Sequence, residues 1–244
     1  MRVLILAAGR GTRISRYLSG NPKCTVDIGG KKLIEYTIEL LKSRGIHDIG
    51  IVLGYRHEVI ENILKDQNIK FYYNPFFDVT NSIASAWFAK GFFEDNDDLM
   101  IMNGDVFLEE SLLDVILRSA KNPVMFADET RKVEADYKFY CQNGVLVKYG
   151  KELSVEETSA EYIGIAKMEG KFIGKFVRRL DEMIEQQMHS VWWENVLYSM
   201  TEEQAIYVED VAARFWAEVD YIEDYERIQK FVAAHGLLKG NSND

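Results

Sequence analysis

Apolar positions along the chain fall into two rhythms. Short unbroken runs, Val3–Leu6, Ile49–Leu53, Leu99–Met102 and Val124–Ala127, read as buried strands, and Ile69–Tyr73 adds another. Between them apolar residues recur three and four apart. Leu33, Ile34, Ile38 and Leu41 form one such stripe, stopped by Gly45; Val59, Ile60, Ile63 and Leu64 form the next; Ile83, Ala84, Trp87 and Phe88 a third. This spacing predicts amphipathic helices, and Ser111–Ala120 predicts one more. Strand–helix alternation over residues 1–130 implies parallel strands joined by crossover helices. Ligands in such sheets bind beyond the carboxyl ends of the strands. The polar residues that follow them, near Gly9, Tyr55, Asn74 and Asp105, are therefore expected on one rim.

Beyond residue 130 the rhythm changes. Tyr137–Cys141, Val145–Lys148 and Tyr162–Met168 read as strands, with a hairpin turn at Asn143-Gly144. Helices are predicted over Lys171–Gln187 and Val191–Met200, then a strand over Phe215–Val219 and a helix over Tyr221–Ala234. Gly240–Asp244 reads as a frayed tail, and Asp95-Asn96-Asp97-Asp98 as a solvated turn. No repeat or linker interrupts the pattern. The expectation is a single α/β domain over residues 1–240, a mixed, mostly parallel sheet flanked by helices.

Composition narrows the function. With 244 residues and 47% hydrophobic content there is ample material for a core. A net charge of −10 argues against a protein that coats nucleic acid or anionic membranes, because that binding rests on clustered Lys and Arg. No apolar run approaches the roughly 20 residues that span a bilayer, so membrane insertion is not expected. Cys24 and Cys141 suit a reducing compartment, and a cytoplasmic location is expected.

The first strand runs into Leu6-Ala7-Ala8-Gly9-Arg10-Gly11-Thr12-Arg13. Glycines let the backbone approach a ligand, and successive amides in such a turn form an anion-binding nest. Arg10 and Arg13 add charge and Thr12 a hydroxyl, so a triphosphate is the natural guest. The segment lacks the Gly-Lys-Ser/Thr of a phosphate-binding P-loop. It also lacks the third glycine of a dinucleotide fingerprint, since position 14 is Ile. Asp105 closes the turn after Leu99–Met102 and belongs on the ligand rim. Strand alternation puts Glu218 and Asp220 on one face. Carboxylates converging on one point repel unless a cation lies between them. Oxygen ligands beside a phosphate substrate point to Mg²⁺, with Asp105, Glu218 and Asp220 as its ligands.

LAAGRGTR, then eight residues, then Pro22-Lys23 and Leu33-Ile34-Glu35-Tyr36 resembles the nucleotidyltransferases that join an NTP to a phosphorylated sugar or alcohol. The resemblance implies a Rossmann-like nucleotidyltransferase fold. It makes residues 1–130 the nucleotide half and 131–240 the acceptor half, which also carries the second acid. Leu6, Ala7, Ala8, Gly9, Arg10, Gly11 and Thr12 would hold the nucleotide, and Lys23, Arg13 and Asp105 would be the catalytic groups. Asn81-Ser82-Ile83-Ala84-Ser85 and Asn103-Gly104-Asp105 are similar to segments of the cytidylyltransferase branch, which includes the CTP:phosphocholine and CTP:inositol-1-phosphate enzymes. That likeness places Asn81 and Ser85 near base and ribose, and Lys138, Lys151 and Tyr162 near the acceptor; Trp192 is a further acceptor candidate as an aromatic wall, against the alternative of helix packing. Trp192 and Trp193 cannot both face one way, so one of them packs while the other is free to wall a quaternary ammonium. The implied partners are CTP and a small phosphorylated acceptor. Tyr36, Tyr72, Tyr73, Phe76 and Phe77 serve either a homodimer face or the core. Three other readings stay open: UTP or dTTP with a hexose 1-phosphate, a non-catalytic nucleotide-binding module, and a dinucleotide-dependent oxidoreductase.

Overall fold

Burial along the first strand follows from where the chain places its neighbours. The computed structural model describes residues 1–11, 13–14, 17–93 and 98–237; Asp95, Asn96, Asp97 and the Gly240–Asp244 tail lie outside the described residues. The first half supplies β1 (Arg2–Ala7), α1 (Leu33–Ser43), β2 (Asp48–Leu53), α2 (His57–Ile63), β3 (Lys70–Tyr73), α3 (Ser82–Phe88), β4 (Leu99–Asn103), β5 (Val106–Leu108), α4 (Glu110–Arg118) and β6 (Val124–Asp128). The second half supplies β7 (Lys138–Gln142), β8 (Val145–Gly150), β9 (Ala160–Met168), α5 (Lys171–Glu185), α6 (Asn195–Tyr198), β10 (Tyr207–Asp210), β11 (Trp216–Glu218) and α7 (Ile222–His235).

Among the described residues, nine strands form one sheet in the order β3-β2-β1-β4-β9-β6-β10-β8-β7. β1 pairs in parallel with β2 on one edge and β4 on the other, so it has no free edge. β9 enters antiparallel between β4 and β6 and turns the parallel sheet into a mixed one, as the change of rhythm near residue 130 leads one to expect. Val3 and Ile5 meet α1, α2, α4 and α7 on one face. Leu4 and Leu6 meet α3, α5 and α6 on the other. Each fully buried Leu or Ile in these layers contributes roughly 1.5–3 kcal/mol.

The chain leaves β1 in one direction for β2 and returns on the other side as β4. That reversal opens a crevice at the carboxyl ends of β1 and β4, where Leu6 is level with Asn103. The Gly104 amide donates to the Leu6 carbonyl at 2.8 Å. A Cβ at Gly104 would lie 2.9 Å from that oxygen, so only glycine lets the two loops approach this closely. A separate two-stranded sheet, β5 against β11, sets Val106 opposite Glu218. Among the described residues no helix is long and apolar enough to cross a membrane.

Three elements depart from the sequence pattern. β5 and β10 are short strands that the run lengths conceal. The helix expected over Val191–Met200 shrinks to α6, because the backbone before it pairs with the start of α3. Asn81 donates to the His189 carbonyl at 2.9 Å, and the Trp193 amide donates to Ser82 Oγ at 2.9 Å.

Candidate active site

One cavity of about 530 Å³ opens over the carboxyl ends of β1 and β4, within the range of small-molecule sites. Leu6, Ala8, Gly9, Arg10, Gly11, Arg13, Lys23, Asn81, Ser85, Asp105, Lys151, Tyr162, Trp192, Glu218 and Asp220 all line it. Thr12 lies outside the described residues. Two expected residues are not on its wall. Ala7, pointing opposite to Leu6, packs against the apolar cluster on the far face of the sheet. Lys138 turns its ammonium onto the Leu153 carbonyl at 2.8 Å.

Arg10 is clamped to Asp78 through Nε at 2.8 Å and Nη2 at 3.0 Å, with its guanidinium 5.4 Å from the Tyr55 ring centre. Arg13 donates to Asp220 Oδ2 at 2.9 Å. Pro22 leads into a short 3-10 turn, Lys23–Thr25, from which the Lys23 stem runs back across Gly11. Gly11 has φ +61°, a conformation that favours glycine.

The acids come from opposite ends of the chain. The β4–β5 turn carries Asp105, and the chain after β11 carries Asp220. The Val219 amide donates to the Asp105 carbonyl at 2.9 Å and locks the two together. Lys23 Nζ lies 2.9 Å from Asp105 Oδ2 and also bonds Asp220 Oδ1. Burial opposes its charge, but the Asp105 and Asp220 carboxylates outweigh burial and raise the Lys23 ammonium above its ordinary range. Glu218 lies behind this pair. Burial, then the charges of Asp105 and Asp220, push its carboxyl well above the usual range. Among the described residues no three acidic, histidine or cysteine side chains converge as a ready-made metal cluster. Glu218 lines the same cavity as Asp105 and Asp220, and that pair grips one cation, the Lys23 ammonium.

The opposite wall is aromatic and acidic. Trp193 is fully buried and donates from Nε1 to Asn103 Oδ1 at 3.1 Å, while Trp192 stays 42% exposed and lines the cavity. Tyr137 lies edge-on to Trp192 at 5.5 Å and stacks on Tyr198 at 5.8 Å. Lys151 reaches Asp136 at 2.7 Å and lies 5.7 Å from the Trp192 ring centre. Among the described residues the buried Tyr162 hydroxyl has no hydrogen-bond partner. Burial, then the nearby Glu194 and Glu218 carboxyls, keep it protonated. Burial pushes the Glu194 carboxyl up to about 7, against a hydrogen bond from Asn103.

Sequence reasoning missed Glu194, Asp136, Tyr137 and Tyr198, all on this wall. An acid directly after a tryptophan pair was the available signal for Glu194. The others converge only through the packing of β7, β9 and α6.

Known proteins place the chain among nucleotide-activating enzymes. It is 27% identical to the CTP:phosphoglutamine cytidylyltransferase of Campylobacter jejuni subsp. jejuni, over 93% of this chain and 98% of that one. It is 25% identical to the choline-phosphate cytidylyltransferase of Streptococcus pneumoniae, over 95% and 98%. The solved inositol-1-phosphate CTP transferase from T. maritima shares the fold with a TM-score of 0.77 at 20% identity, covering 95% of this chain and 96% of that one. The profile of the MobA-like NTP transferase domain matches residues 3–203. The chain belongs to that family and is a nucleotidyltransferase, as its Gly-rich loop, Pro-Lys pair and following helix lead one to expect.

Proposed function

We propose that the protein transfers CMP from CTP to a small phosphorylated acceptor that carries a cationic group, releasing pyrophosphate. The observation that carries this reading is the convergence of Lys23, Asp105 and Asp220 in the cavity that the amide-rich turn also lines. The similarity to two CTP-dependent enzymes over nearly the whole chain supports CTP as donor.

The acceptor's phosphate oxygen attacks the α-phosphorus of CTP. A new P–O bond forms, the bond to the β-phosphate bridging oxygen breaks, and pyrophosphate leaves with that electron pair. A phosphate monoester is already anionic at neutral pH, so no strong base is needed. The barrier is the approach of two polyanions, and positioning with charge neutralisation lowers it. Amides of the turn through Gly11, with Arg10 and Arg13, cradle the triphosphate. Lys23 meets the transferring phosphate. Asp105 and Asp220 fit a hard divalent cation, since both present carboxylate oxygens and together hold one positive charge. Mg²⁺ held by that pair would neutralise phosphate oxygens.

The far wall supports the acceptor class. Trp192 and Tyr137 offer aromatic surface, and Glu194 offers a buried carboxyl bonded to the Asn103 amide rather than to a cation. This combination attracts an ammonium group by cation–π and charge terms. The test crosses CTP, UTP, dTTP and GTP with phosphocholine, phosphoethanolamine, inositol 1-phosphate and glucose 1-phosphate, read by mass spectrometry. A CDP-linked product from an ammonium-bearing acceptor is expected. Turnover only with UTP or dTTP and glucose 1-phosphate overturns the reading, and a CDP-linked product from inositol 1-phosphate but from neither ammonium-bearing acceptor removes the cationic group from it.

A further inference from the structure

Lys23 stands between the two aspartates that the proposed function assigns to a divalent cation. Its Nζ bonds both Asp105 Oδ2 and Asp220 Oδ1, while Arg13 takes the remaining oxygen of Asp220 at 2.9 Å. The three side chains are largely withdrawn from solvent, Lys23 being 15% exposed and each aspartate 19%. The stem of Lys23 fills the space over Gly11, where a Cβ would overlap its Cγ and lie 2.9 Å from Cδ and Cε. The ammonium is thereby aimed at the acid pair by packing as well as by charge.

We propose that Lys23 is an internal counter-ion that joins Asp105 to Asp220 before substrates bind and must withdraw as a divalent cation enters. The inference rests on the reading of the acid pair as a cation site. Two partly buried carboxylates left without a cation repel, so a resident ammonium stabilises the site in its waiting form. The same contact lowers apparent metal affinity, because metal binds only the fraction of molecules in which the ammonium has moved away. A displaced ammonium needs another anion, and the triphosphate in the same cavity supplies one. Metal and nucleotide therefore bind cooperatively, through the movement of one side chain.

The test measures Mn²⁺ binding by electron paramagnetic resonance, with and without a non-hydrolysable CTP analogue. The samples are the wild-type chain, Lys23→Met, Asp105→Asn and Asp220→Asn, each checked for folding by circular dichroism. Lys23→Met removes the ammonium and is expected to bind Mn²⁺ about tenfold more tightly than wild type without nucleotide. The CTP analogue should tighten Mn²⁺ binding in wild type far more than in Lys23→Met. A CTP effect as large in Lys23→Met as in wild type overturns the exchange. If no sample shows binding that depends on Asp105 and Asp220, the cation site itself fails, and this inference with it. In the wild type, Mg²⁺ should shift the Cε resonance of Lys23 in ¹³C-lysine-labelled protein. An unmoved resonance overturns the proposal even if the variants do not fold.

Discussion

Trp216 donates from its indole Nε1 to Asp128 Oδ2 at 2.8 Å, tying the end of β6 to β11. Both side chains are buried, and the other Asp128 oxygen accepts from the Thr130 amide and hydroxyl at 2.8 and 2.6 Å. β11 carries Glu218 and leads to Asp220, so this bond fixes the second acid from behind. Asp128→Ala leaves a buried indole N–H unpaired and should cost about 1–3 kcal/mol of stability. Asp128→Asn keeps an accepting oxygen and should lose less. Urea denaturation midpoints of the two variants check the order.

Gly104 controls the spacing between the end of β1 and the Asp105 turn. A Cβ there would lie 2.9 Å from the Leu6 carbonyl oxygen and 3.0 Å from the Ala7 Cβ, both on the rigid end of β1. Gly104→Ala must push β4 away from β1. A loss of about 1–3 kcal/mol is expected, with activity falling as Asp105 moves. Gly91→Ala meets nothing within 4 Å and serves as the control. Thermal melts and turnover of both variants separate strain at the site from a general cost of alanine.

The parts of this design that the sequence displays are those carried by neighbours along the chain. Leu6 to Gly11 is a strand end and a turn in consecutive residues, and Asp105 follows its strand at once, so both were legible. Asp220 was legible as the acid that follows the last strand, although β11 ends at Glu218 and its alternation stops short of residue 220. Asp136 and Tyr137 were not legible as partners of Glu194, because their two segments meet only once β9 has inserted between β4 and β6. Lys138 misled for a related reason. A lysine beside a predicted acceptor wall looks free until the fold brings the Leu153 carbonyl to it. β5 and β10 hid because each takes its strand character from a partner, β11 and β6, rather than from its own length.

Asp105→Asn removes one charge from the acid pair while preserving shape. The Val219–Asp105 bond involves the backbone carbonyl, so the loop should keep its position. Activity should fall on the order of 10²–10³-fold, as expected when one charge-stabilising contact is lost. Circular dichroism should match wild type, and pyrophosphate release is the readout. A variant of full activity would remove Asp105 from the chemistry.

Glu194 makes stability depend on pH. Its carboxyl titrates at about 7 in the folded chain against 4.5 for an ordinary glutamate. The native state therefore holds a proton that the unfolded state has released across that interval. Stability from this group is complete below about 4.5 and is lost as pH rises through about 7. The change is on the order of 3 kcal/mol. Glu194→Gln cannot lose the proton and should flatten the fall. Melting temperatures of wild type and variant between these pH values, taken as a difference, check the sign. A wild type that instead gains stability relative to Glu194→Gln on going from acid to neutral pH would place the carboxyl's proton affinity below the ordinary range.

Under the proposed function, Trp192 is the residue whose loss should separate acceptor recognition from nucleotide recognition. Its ring is 42% exposed and lines the cavity, while Trp193 beside it is fully buried and bonded to Asn103. Truncating Trp192 should leave the core intact, whereas Trp193→Ala should cost about 3–5 kcal/mol as a buried aromatic. Lys151 lies 5.7 Å from the Trp192 ring centre, so that face already attracts one cation. An ammonium-bearing acceptor would compete for the same face. Trp192→Ala should therefore raise KM for such an acceptor by roughly 2–30-fold, the equivalent of about 0.5–2 kcal/mol of cation–π attraction. KM for CTP should change less, because the Trp192 ring contacts Tyr137 and Lys151 rather than Arg10 or Lys23. Trp192→Phe should recover most of the loss with a cationic acceptor, since a ring face remains. Equal KM values in Trp192→Ala and wild type would move the cationic group of the acceptor to another part of the wall.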